Sequence, residues 1–439
     1  MFQNKKILIT HIWLRGFGGA EINILELASF FKDNGAEVEV FTFFVKDPMK
    51  TEFEQRNIPV ITDNFYPFDL TSYDYIWSAQ NILPITIIKN LGQKRVKTPK
   101  FLFFHMAALP EHVLEQPFVY QLEEKISSTT LAVSQEIVDD NLHRFFGEIP
   151  NLQFYQNPVP PNYIQEKYRH THSNLKKILV ISNHPPQEIK ELEDELKEFQ
   201  VEVDYYGVWT DKYELVSPDL LTKYDCVIGI GKNIPYCLVM GKPIYVYDHF
   251  AGPGFLTDEN FEIAEYHNFS GRGFETQKRT SKEIAEDILK HFSEAKEFQE
   301  KNLEKFQKQF SLQYVVPSIL QNIEDNGEID IVFDSYYITY LLAMNIFIKD
   351  IVVRLDNDTV NLWNQVYYLE DELGITKDFL RSRTDELDIV TDKYRAIEKE
   401  LALLKASRFY TLSLKWKKVK KIMKCMNFSI KDKETNKHE

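Results

Sequence analysis

The segment that decides the fold is KKILITHIWLRGFGGAEINILELASFFKDNG, residues Lys5–Gly35. It opens with an apolar strand and passes through a glycine-rich loop. It then continues as INILELASFFKDNG, in which apolar residues recur every three or four positions. That spacing predicts a helix ending at Gly35. Because another strand, EVEVFTFFV (Glu37–Val45), follows directly, the run predicts a parallel α/β sheet.

The same order of elements begins again near the middle of the chain. KKILVISN (Lys176–Asn183) predicts a strand, Pro186–Glu198 a helix, and VEVDYYG (Val201–Gly207) a further strand. Between the two runs, Asn157–Tyr168 is rich in Pro and Asn, which is typical of a linker. We therefore predict two Rossmann-like domains, whose ligands should lie outside the carboxyl ends of the strands.

The last quarter of the chain has a different pattern. Stepping alternately by four and three from Leu362 to Leu404, eleven of the thirteen positions are apolar. This spacing predicts a coiled coil and self-association through residues 362–404, and the alternative is a long helix packed on its own domain. The predicted organisation is an N-terminal Rossmann-like domain at 1–165, a second Rossmann-like domain at 166–325, a helical connector at 326–358, a coiled coil at 359–405 and a basic amphipathic tail at 406–439.

Two segments bear on membranes. Lys405–Lys424 contains eight Lys or Arg, no acidic residue, and interleaved aromatic and aliphatic residues. Apolar insertion combined with attraction to anionic lipid predicts peripheral membrane contact through 405–424, with a solvated basic tail or a nucleic-acid arm as alternatives. Tyr336–Ile348 is apolar over only 13 residues, which is too short to span a bilayer and predicts a buried or interfacial helix.

The composition narrows the class of protein. Apolar residues make up 44% and charged residues 27%, which are values of a globular chain. The net charge of −14 disfavours a generally basic nucleic-acid binder, and three cysteines indicate a reducing compartment. No export signal is visible at the start. We predict a cytoplasmic protein peripheral to the inner membrane face, with no nucleic-acid partner, no metal and no other cofactor.

The loop GFGGAE (Gly16–Glu21) is the first candidate for ligand binding. Gly18 and Gly19 let backbone approach a ligand closely, and the start of the following helix favours a phosphate. The alternative is a tight turn without a ligand. A complete dinucleotide fingerprint and a GxxxxGK[ST] motif are both absent, which argues against a nicotinamide enzyme or a P-loop ATPase. Glu21 is favourable beside a helix N-terminus, and we do not assign it a catalytic role.

Several segments, taken in series over about residues 1–310, resemble GT-B glycosyltransferases. The resemblance is to family-4-like enzymes, particularly a subgroup associated with bacterial cell-surface polysaccharide assembly. The segments that carry it are KKILITHIWLRGFGGAE (Lys5–Glu21), FLFFHMAALPEH (Phe101–His112), SSTTLAVSQEIVDDNL (Ser127–Leu142), FYQNPVPPNY (Phe154–Tyr163), GKPIYVYDHFAGPGFLTDEN (Gly241–Asn260) and NFSGRG (Asn268–Gly273).

This resemblance implies transfer of a glycosyl group from a nucleotide-diphosphate sugar to a lipid-linked or cell-surface glycan acceptor. The donor would be held mainly by the second domain, and the acceptor would face the first. His105 matches the histidine of the cleft and is the implied catalytic residue, with a structural histidine as the alternative. Lys232 and then Arg272 are the implied cations for the diphosphate, with a solvated or ion-paired side chain as the alternative for each. The implied donor-binding residues are Gly18, Gly19, Asn183, His184, Lys232, Gly252, Gly254, Glu259 and Arg272.

One departure from the family pattern leaves the activity open. Retaining family-4 enzymes usually carry two glutamates in the second domain, and here Ile228 and Tyr236 stand at those positions. The stereochemical class therefore stays undecided, as do the sugar, the nucleobase and the acceptor. The main alternative is a catalytically inactive GT-B-like scaffold that oligomerises through its coiled coil. A nucleotide-sugar epimerase is a third, weaker hypothesis.

Overall fold

The computed structural model describes two compact units, Met1–Ile346 and Phe347–Glu439. Both β-sheets predicted from the sequence belong to the first unit. The residues that the structure describes are 2–80, 82–91, 96–97, 99–109, 112–169, 174–323, 328–329, 333–382, 395–400 and 402–403.

The strands of the first half of the chain begin with the predicted KKILITH segment. In chain order they are β1 Lys6–His11, β2 Glu37–Thr42, β3 Val60–Ile61, β4 Tyr75–Ala79, β5 Val96–Lys97, β6 Lys100–His105, β7 Ser127–Ala132 and β8 Gln153–Phe154. Those of the second half are β9 Lys177–Ile181, β10 Glu202–Tyr206, β11 Cys226–Gly229, β12 Ile244–Asp248, β13 Ala251–Phe255 and β14 Glu328–Ile329.

These strands form two large sheets. The first has seven parallel strands in the order β3-β2-β1-β4-β6-β7-β8, and the second has five strands in the order β10-β9-β11-β12-β13. Only β13 in these two sheets runs antiparallel to its neighbour, and β5 and β14 form a separate antiparallel pair among the described residues. In each large sheet the strand order reverses next to the first strand of the domain. The predicted pair of Rossmann-like domains is therefore confirmed.

The helices connect the strands and cover the sheets. They are α1 Gly19–Asp33, α2 Met49–Gln55, α3 Ile85–Leu91, α4 Tyr120–Ile126, α5 Gln135–Asp140, α6 Gln187–Lys190, α7 Leu192–Leu196, α8 Pro218–Leu221, α9 Asn233–Met240, α10 Phe261–Tyr266, α11 Ser281–Gln309, α12 Leu312–Gln321 and α13 Ser335–Ser382. The segment predicted as one helix at Pro186–Glu198 is divided into α6 and α7, followed by a 3-10 turn.

The central strands carry runs of apolar residues because both faces of a parallel sheet are usually covered by helices. In β1, Ile7, Leu8 and Ile9 are completely buried. Helix α1 ends where its sequence predicts, since Gly35 just beyond it adopts a left-handed φ of 91° that glycine accommodates without strain. This strand and helix place the glycine loop between them at the carboxyl edge of the first sheet.

The chain crosses between the two domains twice, and the crossings lie side by side. Val159, on the outward crossing, accepts a hydrogen bond from Leu312 N at 2.9 Å and donates one to Phe310 O at 2.8 Å. After the return, α12 packs Leu312, Val316 and Ile319 into the core of the first sheet. Residues 312–323 therefore pack with the first domain, although the sequence-based division assigns them to the second.

Helix α13 begins at Ser335 and includes the apolar segment Tyr336–Ile348. Leu341 and Asn345 on one side of it are buried, whereas Tyr336 is 83% exposed. Part of the predicted coiled coil, residues 383–394, 401 and 404, lies outside the described residues. The predicted basic segment 405–424 also lies outside them. No helix in the described part of the chain is long and apolar enough to cross a membrane.

Candidate functional site

The carboxyl edges of the two sheets meet. Gly19, at the start of α1, lies so close to the loop after β11 that a Cβ added to it would be 3.5 Å from the Cβ of Lys232. Phe17 N donates a 2.6 Å hydrogen bond to the hydroxyl of Tyr213, beyond β10, and the two rings are 5.1 Å apart. Since ligands of open α/β sheets bind where the strand order reverses, the β1/β4 and β9/β11 edges form the candidate site.

Two glutamates lie near the β1/β4 edge, and the charge of one acts on the other. Glu21 lies in the first turn of α1, and Glu115 lies in a 3-10 turn after β6. The pKa of each carboxyl is raised to about 7, mainly by burial, and at Glu115 the charge of Glu21 contributes to the rise. Arg15 lowers both pKa values by attraction. We call Glu21 and Glu115 the carboxyl pair.

At the glycine turn, the Glu21 side chain lies directly beside Gly18. A Cβ on Gly18 would overlap Oε2 of Glu21, so only glycine lets that carboxylate fold back over the turn. Glu21 is 8% exposed and also receives a hydrogen bond from the side chain of Trp13. Gly18 therefore has a close contact within the protein, and its predicted role in donor binding stays a prediction.

Two further residues lie at the carboxyl ends of the neighbouring strands β1 and β4. His11, the last residue of β1, is fully buried, and burial lowers its pKa to about 4, so the ring is neutral at neutral pH. Its Nδ1 lies 2.5 Å from the carbonyl oxygen of Trp13. Gln80 follows β4 and donates a 2.7 Å hydrogen bond from Nε2 to Glu115 Oε2. The sequence analysis missed Gln80 and Glu115, although position directly after a strand is the signal that could have found Gln80.

His105, the predicted catalytic residue, is held elsewhere. It ends β6, is 2% exposed, and its Nε2 lies 3.1 Å from both carboxylate oxygens of Glu123. Glu123 is fully buried and also accepts a 2.6 Å hydrogen bond from Thr130. The ring packs edge-on against Phe146. None of these contacting residues belongs to the carboxyl pair, and the catalytic role of His105 stays a prediction, with the structural role as its alternative.

Lys232, the predicted cation for the diphosphate, is buried between the domains. Its Nζ lies 2.6 Å from Glu26 Oε2 of α1, and it donates to Asn23 Oδ1 at 3.0 Å and to the Pro158 carbonyl at 2.7 Å. Burial lowers the pKa of Lys232 and raises that of Glu26, while their mutual attraction opposes both shifts. The ammonium group is therefore engaged by protein acceptors from the first domain and the linker.

Tyr236 stands at one of the two positions where retaining family-4 enzymes usually carry a glutamate. Its hydroxyl donates a 2.5 Å hydrogen bond to Glu26 Oε1, and its ring stacks on Tyr163 with centroids 4.5 Å apart. The Glu26 carboxylate of the first domain therefore contacts this position of the second domain. Lys232, Tyr236 and Glu26 form one buried contact that joins the domains, which we call the interdomain pin.

Arg272 also joins the domains. Its guanidinium forms a two-pronged ion pair with Glu136 of α5, with Nε 2.7 Å from Oε1 and Nη2 in contact with Oε2. His267 Nδ1 lies 2.9 Å from the same Oε1. Burial raises the pKa of Glu136, but the hydrogen bonds from Arg272 and His267 outweigh it and hold that pKa below its usual value. The ion-paired alternative for Arg272 is the arrangement observed.

Asn183 and His184 lie at the carboxyl end of β9, on the second-domain side of the candidate site. Asn183 Oδ1 accepts a 3.2 Å hydrogen bond from Val208 N, and His184 N donates to Ser182 Oγ at 3.1 Å. Ser182 Oγ in turn donates to Asp248 at the end of β12, at 2.7 Å. Hydrogen bonds thus connect the loop after β9 to the end of β12.

The remaining predicted donor residues lie on β13 or beyond it, and the start of β13 pairs with the carboxyl end of β12. A Cβ on Gly252 would overlap the Val246 carbonyl oxygen, and Gly254, with a φ of 83°, packs against Tyr245 and Arg279. These glycines let β13 lie close against β12. Because β13 runs antiparallel, the exposed Glu259 beyond it lies toward the amino ends of the parallel strands. No group of three metal-ligating side chains is present among the described residues.

The fold defines the class of protein: two Rossmann-like domains with facing carboxyl edges, which is the GT-B arrangement. No protein-family model matches the chain, and no curated protein matches it.

The chain is similar to several solved structures, each covering 72% of it. They include a glycosyltransferase from Rickettsia africae ESF-5 (15% identity, 97% of that chain, TM-score 0.42), the spinosyn forosaminyltransferase SpnP (14%, 98%, 0.43) and MurG of Acinetobacter baumannii (11%, 99%, 0.40). At these identities and TM-scores, no property of those proteins is carried over to this chain.

Proposed function

We propose that the protein is a glycosyltransferase that moves a sugar from a nucleotide-diphosphate sugar to a hydroxyl group of an acceptor. The observation that supports this most is the carboxyl pair, which lies where the first sheet reverses its strand order and where the second sheet's carboxyl edge approaches. Its members have pKa values raised to about 7. Perturbed carboxyl groups in a cleft of this kind are typical of catalytic sites.

Glu21 is the proposed general base. The acceptor oxygen attacks the anomeric carbon while the bond from that carbon to the diphosphate breaks, and the bonding electrons leave with the nucleoside diphosphate. The Glu21 carboxylate takes the hydroxyl proton. A pKa of about 7 suits this step because the group is substantially ionised at neutral pH and still binds a proton strongly. A single displacement of this kind inverts the anomeric configuration.

The second domain is proposed to hold the donor along the β9/β11 edge. A diphosphate that gains negative charge in the transition state requires preorganised hydrogen-bond donors. Gly231, after β11, has a left-handed φ of 58° and donates its N–H to the Phe269 carbonyl at 3.0 Å, while the space where its side chain would lie is open. The start of α1 faces the same loop and adds the positive end of a helix dipole. Asn183 and His184 border this region.

A donor panel tests the proposed function. Thermal unfolding and release of nucleoside diphosphate are measured with UDP-, dTDP- and GDP-sugars. At least one donor should raise the unfolding midpoint and be slowly hydrolysed in the absence of an acceptor. If no donor changes the midpoint and none is consumed, the proposal fails.

One observation favours the second candidate function, a non-catalytic scaffold. Both predicted diphosphate cations, Lys232 and Arg272, are held by carboxylates of the first domain. Such a protein would use the two lobes as a rigid body and associate through 362–404. The donor panel separates the two hypotheses, since a scaffold leaves every nucleotide sugar unhydrolysed.

The acceptor and the cellular location remain proposals drawn from the sequence. We propose a lipid-linked or cell-surface glycan acceptor at the cytoplasmic face of the membrane, with 405–424 bound to anionic lipid. Confinement of enzyme and acceptor to one surface raises their effective concentration. The self-association through 362–404 is proposed on its heptad spacing.

A further inference from the structure

Three asparagine side chains connect the two domains through the linker. Asn23 of α1 donates from Nδ2 to Asn157 Oδ1 at 2.6 Å, and Asn157 Nδ2 donates to Asn268 Oδ1 at 2.7 Å. Asn23 Oδ1 in turn accepts a 3.0 Å hydrogen bond from Lys232 Nζ. Asn23 lies in the first domain, Asn157 in the linker, and Asn268 and Lys232 in the second domain. We call Asn23, Asn157 and Asn268 the asparagine relay.

The ammonium group of Lys232 sets the direction of the relay. An ammonium group can only donate hydrogen bonds, so Asn23 presents its oxygen to Lys232 and its nitrogen to Asn157. Asn157 then accepts with its oxygen and donates to Asn268. Lys232 also donates to the backbone carbonyl of Asn157 at 3.2 Å. Asn23 is 2% exposed and Asn157 is 4% exposed, so a rotated amide would leave buried polar atoms without partners.

The backbone at two members of the relay has a left-handed conformation. The φ angles are 53° at Asn157 and 52° at Asn268, a region that asparagine tolerates better than most residues. Phe269 follows with a φ of 52°, which for a bulky residue persists only where the surrounding structure holds it. The Phe269 carbonyl accepts the 3.0 Å hydrogen bond from Gly231 N, next to Lys232. The relay therefore closes into a ring that returns through the loop after β11.

A second attachment between the domains lies at α5. Arg272 pairs with Glu136, and the Tyr266 hydroxyl donates to Asp139 Oδ2 at 3.1 Å. Helix α1 follows β1 and α5 follows β7, and these strands are three positions apart in the first sheet. At about 4.8 Å per strand, they lie roughly 14 Å apart. Rotation of the second domain about one attachment would therefore displace the groups at the other.

We infer that the asparagine relay and the interdomain pin lock the two domains in one relative orientation when no ligand is bound. The buried amides of the relay are paired only while the first domain, the linker and the second domain keep this register. A small displacement of one domain breaks these hydrogen bonds before water can replace them, so intermediate openings are unfavourable. A nucleotide sugar forms no part of the lock, which is therefore independent of the proposed function.

Distances between spin labels measure this locking in the resting protein. The labels are attached to Glu54→Cys in α2, Glu202→Cys in β10 and Lys282→Cys in α11, where the native side chains are 67–72% exposed, and Cys425 is replaced by Ser. The Glu202–Lys282 pair lies within the second domain and gives the width expected of a rigid pair. The two pairs that include Glu54 should each give a single distance of similar width. Two populations, or a distribution more than twice as wide, would overturn the inference.

Glycine variants test whether the relay provides the lock. Asn157→Gly and Asn268→Gly introduce a residue that adopts a left-handed φ without strain, and they remove only the amide side chain. Each should at least double the width of both interdomain distributions and leave the pair within the second domain unchanged. Asn57→Gly is the matched control, since Asn57 is exposed and has a φ of 50°. Wild-type widths in both relay variants would overturn the role of the relay, as would equal broadening in Asn57→Gly.

The same labelled protein separates the lock from the proposed function. A protein that consumes no nucleotide sugar but has narrow interdomain distances supports the lock and counts against sugar transfer alone. A protein that consumes a nucleotide sugar but has broad distances at rest counts against the lock alone.

Discussion

Gly18 and Gly19 are adjacent in one motif but meet different neighbours. The Glu21 carboxylate occupies the space that a side chain at Gly18 would need, whereas a Cβ on Gly19 would meet Lys232 at an ordinary 3.5 Å. The two adjacent glycines should therefore tolerate substitution by alanine to different degrees. The glycine cluster predicts close approach of another group, and in the structure the group beside Gly18 is the Glu21 carboxylate.

Replacing these glycines one at a time measures that difference. Gly18→Ala should displace Glu21 and lower the proposed transfer rate at least about tenfold, since a misplaced catalytic group loses much of its effect. Gly19→Ala should retain the rate and the fold. Donor consumption and circular dichroism are the measurements. Equal rates in the two variants would contradict the assigned position of Glu21.

The carboxyl pair also makes a prediction about stability. Both pKa values are raised from 4.5 to about 7, so the folded protein binds more protons than the unfolded chain between these values. The stabilisation is complete below pH 4.5 and is lost as the pH rises through about 7. The free energy of unfolding in urea should fall by roughly 5 kcal/mol more between pH 5 and 8 in the wild type than in Glu21→Gln/Glu115→Gln, about 2.5 kcal/mol for each carboxyl group. The exposed Glu259→Gln is the control, and parallel pH curves for wild type and double variant would contradict the prediction.

At the scale of elements, sequence patterns predict the strands and helices that depend on neighbouring residues. The sequence predicts the β1–α1–β2 run and the second strand–helix run that begins at β9, because apolar runs and helical periodicity involve residues close together in the chain. The partners of Lys232, Arg272 and His105 could not be found in that way, because each is set by packing between segments far apart in the chain. A cation in a loop after a strand has the same sequence signature whether it meets a phosphate or a carboxylate.

The interdomain pin gives an element-scale test of what Lys232 does. Lys232→Met should destabilise the protein by about 3–5 kcal/mol, because it leaves the buried Glu26 without its partner. The double variant Lys232→Met/Glu26→Leu should recover part of that loss. Lys301→Met breaks an ion pair of which both sides are more than 60% exposed, and it should change stability by at most about 1 kcal/mol. A Lys232→Met variant of wild-type stability that no longer binds any donor would instead support the phosphate role.

At the scale of the whole molecule, the sequence extends the two α/β domains with a heptad segment and a basic segment. The helix is described as far as Ser382, and the proposed uses of 362–404 and 405–424 rest on spacing and charge. Such patterns predict a seam or a lipid-facing surface, but they do not specify the partner. Association and membrane contact are therefore questions for solution measurements on the full chain.

Removing residues 405–439 tests the membrane proposal. The full chain should sediment with vesicles that contain anionic lipid, and it should be released by salt, since each cation near such a surface contributes about 1 kcal/mol. The shortened chain should stay in the supernatant. Neutral vesicles are the control, and undiminished sedimentation of the shortened chain would show that another surface binds the lipid.

The measurement that tests the central claim most directly compares nucleoside diphosphate release by the wild type and by Glu21→Gln. We predict that the wild type consumes at least one nucleotide sugar. The variant should bind that donor with similar affinity and consume it roughly 100-fold or more slowly, as expected for loss of a general base. Equal rates in the two proteins would contradict the account, because the carboxyl group at the meeting edge of the sheets would then have no part in the chemistry.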